Sequence, residues 1–166
     1  MKANLEFAAA QVLSQEMPED SSDFTRAVSV TRPLSVLVAN NSFLLRTRLC
    51  SLLAVEPALE VTAEAGSALE TLMRFRAQQP EAVILDVQFP DGSGLEVLRK
   101  IKLSAPRCAV ILLSNSCTPE YRPEFLRRGA DHAFHTATEF EQAVQVLTSL
   151  ARRRRDESIQ IGRAHV

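Results

Sequence analysis

Residues Glu81–Leu98 read EAVILDVQFPDGSGLEVL, an apolar run that ends in one carboxylate and then breaks into a loop rich in Pro and Gly. Ala82, Val83, Ile84 and Leu85 are continuous rather than alternating, the pattern of a strand covered on both faces of a parallel sheet. Asp86 stands at the carboxyl end of that run, the edge where open α/β sheets collect ligands and chemistry. Phe89, Pro90, Asp91, Gly92, Ser93 and Gly94 supply the turn. Leu95, Val97, Leu98 and Ile101 then open a helix at i+3 and i+4 spacing. The unit is strand, acidic tip, loop, helix.

Working outward, the same alternation recurs until there are five such units. Val36–Ala39 predict the first strand, and Leu45, Leu49, Leu52 and Leu53 the inner face of the first helix. Leu59–Ala63 predict the second strand. Ser67 and Glu70 form a capping box for a helix lined by Leu69, Leu72 and Met73. Val110–Leu113 predict the fourth strand, with Thr118 and Pro119 capping and starting the next helix and Gly129 ending it. Ala133 and Phe134 mark the fifth strand. Thr138 and Glu141 fit a second capping box, ahead of an inner face of Phe140, Ala143, Val144, Leu147 and Leu150. Five βα units with short connections predict an α/β fold, a flavodoxin-like (βα)5 doubly wound sheet of five parallel strands in the order 2-1-3-4-5. The switch point then falls between strands one and three, which brings Ala39 and Asp86 side by side.

Composition bounds the function. At 166 residues, 46% hydrophobic and 23% charged, the chain suits one domain with a sizeable core, and a net charge of −1 gives no general drive toward nucleic acid or membrane. Three cysteines, Cys50, Cys108 and Cys117, are too few and too odd in number for a disulfide framework, so reduced packing residues in a cytoplasmic setting are expected. No apolar stretch approaches the length of a membrane span, and Met1–Gln11 has no signal-peptide core. His132, His135 and His165 show no metal-ligand spacing.

Two stretches, DVQFPDGSGLEVL and GADHAFHTATEFE, resemble the phosphoacceptor segment and the fifth-strand run of bacterial two-component response-regulator receiver domains, over Leu34 to about Arg152. That resemblance implies a phosphorelay fold in which a histidine kinase phosphorylates a central Asp beside Mg²⁺. An acidic pair follows the first strand of such a domain, a hydroxyl residue its fourth and a Lys its fifth. The corresponding positions here are Asn40 and Asn41, Asp86, Ser114 and Thr136. Only Asp86 and Ser114 match. Two carboxylates have become amides, and Thr136 is too short to form the ion pair a Lys would make. Mg²⁺ at Asp86, Asn40 and Asn41 is expected to bind with steeply reduced affinity or not at all, because that ion favours hard, charged oxygens.

The resemblance therefore implies a degenerate, single-domain receiver that is not an enzyme. Its partners would be a histidine kinase, another signalling protein or a second copy of itself, with Tyr121, Phe125, Leu126 and Phe140 as apolar material for a dimer face. Two alternatives are a conventional Asp86 phosphoacceptor and the amino-terminal part of a DNA-binding regulator. The expected organisation is a flexible extension at 1–33, the receiver at 34–152 and a basic tail at 153–166. Leu5–Leu13 could form a short helix ahead of an acidic leader. Arg152–Arg155 are expected to favour a helix carboxyl terminus rather than DNA, for they lack interleaved aromatics. Ile161–Val166, IGRAHV, resemble a translated sequencing-library adapter, so the native chain is expected to differ or continue past Gln160.

Overall fold

The computed structural model describes residues 32–164, with side-chain surroundings as far as 162, so the expectations for the amino-terminal extension and for His165 lie outside the described residues. The elements are β1 (Leu34–Ala39), α1 (Phe43–Ala54), β2 (Leu59–Ala65), α2 (Ala68–Gln78), β3 (Ala82–Leu85), β4 (Gln88–Phe89), β5 (Gly92–Ser93), α3 (Gly94–Ser104), β6 (Ala109–Ser114), α4 (Arg122–Arg127), β7 (His132–His135) and α5 (Phe140–Ala164). The large sheet runs β2-β1-β3-β6-β7, all parallel. This is the expected 2-1-3-4-5 order, with a two-stranded antiparallel hairpin, β4–β5, inserted after the central strand.

Each central strand is buried on both faces, and its residues alternate between two apolar clusters. Leu37, Ala39, Val83, Leu85, Val110 and Leu112 face Phe75 of α2, Val97, Leu98 and Ile101 of α3 and Phe125 of α4. Val36, Val38, Ile84, Ile111 and Leu113 face Leu49 and Leu53 of α1 and Phe140, Ala143 and Leu147 of α5. The period-2 geometry of a strand divides one apolar run into two cores. The three cysteines are free thiols, and burial pushes the Cys108 and Cys117 thiols up to about 11. No helix among the described residues is long and apolar enough to cross a membrane.

The structure corrects several local expectations. Leu52 of α1, expected on the inner face, is exposed, and Phe125 and Phe140, expected as dimer-face material, are buried in the core, which leaves Tyr121 and Leu126 exposed. Leu69 and Met73 of α2 are exposed, and the helix instead buries Thr71 and Phe75. Thr71 tolerates burial because its hydroxyl donates to Ser67 O at 2.6 Å. The Ser67 cap itself holds, accepting the Glu70 N–H. The short helix α4 starts at Arg122, with Pro123 rather than Pro119 in its first turn and Thr118 O accepting from Tyr121 and Arg122. Gly129 follows it with φ +111°, as a left-handed stop demands. At the head of α5, Thr138 Oγ1 meets His135 Nδ1 at 3.4 Å instead of capping Glu141. Lastly, α5 continues to Ala164, so Arg152–Arg155 sit inside the helix and not at its end.

Candidate functional site

Parallel pairing in register gathers the ends of four chain segments at one edge. Ala39 pairs with Leu85 and Leu85 with Leu112, so the residues that follow, Asn40 and Asp86, emerge as neighbours; Asp86 N–H donates to Ala39 O at 2.9 Å. Ser114 pairs with His135, and the next amide, Thr136 N–H, donates to Ser114 O at 3.3 Å. Together Asn40, Asn41, Asp86, Ser114 and Thr136 wall a cavity of about 190 Å³. Gln88, Asn115 and Ser116 also line it. Sequence reasoning missed those three, although each lies one or two residues beyond a strand-end position already singled out.

Several polar groups of this cavity are already in use. Asn40 is buried, and its side-chain oxygen accepts the Ser42 N–H at 2.8 Å; its main-chain oxygen accepts from Arg46 Nη1 at 2.6 Å. Ser42, not Asn41, is the cap of α1, and Asn41 is exposed. Asp86 accepts the Gln88 N–H at 3.3 Å, and Ser114 Oγ accepts that of Ser116 at 3.3 Å. Burial pushes the Asp86 pKa up, opposed by the N–H groups of Gln88, Asn41 and Val87 and by the Ser114 hydroxyl. Among the lining residues Asp86 is the one carboxylate, and there is no cation.

Two neighbours hold the acceptor loop in place. A Cβ built on Gly94 would stand 1.8 Å from Asp86 O, so only glycine permits α3 to start this close to the strand end; its N–H donates to Val87 O at 2.7 Å. Asp91, at the tip of the β4–β5 hairpin, accepts the Ala68 and Leu69 N–H groups at 2.7 and 3.0 Å, which ties the hairpin to the amino end of α2. Those two amides keep its carboxyl below the usual range. Gly94 was legible as a turn residue, whereas the Asp91 contact spans over twenty residues and carries no local signal.

The donor set does not suit Mg²⁺. That ion demands near-octahedral hard oxygens and is reluctant to shed its waters, so it relies on carboxylate charge. One carboxylate, an amide oxygen already bonded to Ser42 and an exposed amide do not fit it. Among the described residues no three His, Cys, Asp or Glu side chains are grouped to hold a metal ion.

Residues 36–148 match the family model of the response regulator receiver domain, a span that reaches all five strands of the large sheet. The chain belongs to this family. The receiver is 31% identical over 97 residues to the DNA-binding transcriptional activator DevR/DosR of Mycobacterium tuberculosis, covering 58% of this chain and 45% of that protein. It is 36% identical over 92 residues to protein-glutamate methylesterase/protein-glutamine glutaminase 5 of Anaeromyxobacter dehalogenans, covering 55% of this chain and 25% of the relative. The receiver thus spans half or less of the length of these two curated relatives. The crystal structure of the response regulator domain of Thermotoga maritima CheB is 25% identical, with a TM-score of 0.63, covering 75% of this chain and 98% of that one.

Proposed function

We propose that this receiver acts by protein–protein binding without depending on phosphorylation of Asp86, and that it turns over no substrate of its own. The observation that carries this reading is the makeup of the strand-end cavity: one carboxylate, no cation, and otherwise hydroxyls, amides and the apolar Leu45. Phosphoryl transfer brings a polyanion to an anionic acceptor, and its catalysis consists of positioning and charge neutralisation. Here Asn40, Asn41 and Thr136 are all uncharged and supply no such neutralisation. Mg²⁺ has no role in this reading, and the partner is a histidine kinase or another signalling protein.

Intact-mass spectrometry after incubation with a small phosphodonor and excess Mg²⁺ tests the proposal, with Asp86→Ala alongside. No added phosphoryl mass in either protein supports it. A phosphoryl adduct on wild type that is absent from the variant makes Asp86 a conventional acceptor and removes the proposal. A second reading places the receiver ahead of a DNA-binding output domain, and the likeness to DevR/DosR favours it. Sequencing the native locus past Gln160 checks that arrangement: a frame encoding a helix-turn-helix supports it, and an immediate stop rules it out.

A further inference from the structure

The strand-end cavity does not stand alone. A second, larger cavity of about 510 Å³ lies between α1 and the head of α5, and Leu45 and Thr136 wall both. The two adjoin at these shared walls, and their combined lining, taken here as one cleft, runs from Asp86 through Thr136 and Ala137 to Gln145. Thr136 belongs to the walls of both, and its side chain is short.

The charges along this cleft are unequal. Three carboxylates line it, Asp86, Glu139 and Glu141, against the single guanidinium of Arg48. Arg48 lies 4.8 Å over the Phe140 ring, and Glu139 accepts from Arg122 and from the His135 N–H at 2.7 Å. Asp86 and Glu141 have no ion-pair partner among the described residues. Asp86 is half-buried and lines the smaller cavity, and Glu141 is exposed and lines the larger one.

We propose that this cleft receives a Lys or Arg side chain from a basic segment of a partner protein, which supplies in trans the cation that the strand-end site lacks. The inference rests on the reading under Proposed function and names the chemistry of the partner. A single positive charge matches a single carboxylate, whereas a divalent ion does not. The long apolar stem of either residue suits a cleft walled by Leu45 and Ala137, with its charged head on Asp86 in a charge-assisted hydrogen bond. Flanking basic residues of the segment would meet Glu141 in the larger cavity.

Amide NMR on the ¹⁵N-labelled protein tests this with side-chain fragments as probes: n-butylammonium and ethylguanidinium, against neutral n-butanol at matched ionic strength. The two cations are expected to give saturable shifts at Gln88, Ser116, Thr136 and Ala137. Asp86→Asn should weaken them roughly tenfold or more. Thr136→Lys, which puts the cation in cis, should abolish them while leaving the spectrum dispersed. Equal shifts from butanol, unchanged shifts in Asp86→Asn, or no localised shift would overturn the proposal. So would concentration-dependent shifts at these amides without any probe that vanish when Arg152, Arg153 and Arg155 are changed to Ser, because the occupant would then be a second copy. Phosphoryl uptake in the mass experiment would remove the parent reading whatever the cations do, so the two failures remain distinct.

Discussion

Glu81 and Asp86 stand at opposite ends of the same short strand, β3, and their surroundings are opposites. At the amino end, the Glu81 carboxylate is bonded to Arg32 at 2.9 Å and to Arg154 of α5, while Arg154 also donates to Arg32 O. The Glu81 N–H donates to Ser35 as well. At the carboxyl end, Asp86 has a backbone amide and a hydroxyl but no cation. Charge is compensated at the end that clamps α5 to the sheet and uncompensated at the end that opens to the cleft. The difference shows where this receiver retains structure and where it leaves a charge for something else to neutralise.

The most forceful way to break the comparison is to close the carboxyl edge sterically. Gly94→Ala would drive a methyl group into the Asp86 carbonyl, and a loss of about 3 kcal/mol or more is expected from urea unfolding, as a lowered midpoint at unchanged slope. The amino edge should be less sensitive. Glu81→Gln removes a half-buried carboxylate from two guanidinium groups, and a loss of about 1 kcal/mol is expected, shrinking as salt is raised.

Asp86→Asn should act in the opposite direction. A carboxyl whose pKa is raised on folding contributes stability only while protonated. That contribution is complete below the unfolded value near 3.8 and is lost as pH rises through the folded value. At neutral pH the variant is therefore expected to melt a few degrees above wild type, and the gap should close below about pH 4. A variant that melts lower at neutral pH would mean that Asp86 is compensated after all. The smallest effect is local: Asp91→Ala should speed hydrogen exchange at the Ala68 and Leu69 amides and leave global unfolding nearly unchanged.

Much of the fold was legible because the signals were short-range and strong. Ala82–Leu85 is the third strand to the residue, and the strand order followed from counting βα units. The face of α2 was misread for a physical reason. Leu69 and Met73 are large and apolar at helical spacing, yet the crossing of this helix over the sheet presents Thr71 and Phe75. The arginine run reads as a helix end because cations suit the carboxyl terminus of a helix dipole, and in the structure the helix continues and Arg154 is instead a rivet to Glu81.

The sequence by itself determined the alternation of strands and helices, the position of Asp86 at a strand tip, and the uncharged character of Asn40, Asn41 and Thr136. Residue type and period-2 or 3.6 spacing are properties of a chain read locally. Only the tertiary structure decided that Asn40 is consumed by Ser42, that Asp91 holds α2, that Glu81 is clamped from α5, and that the Asp86 cavity adjoins a second one over Thr136. Those facts depend on which distant groups meet when the sheet closes, and no local pattern encodes them.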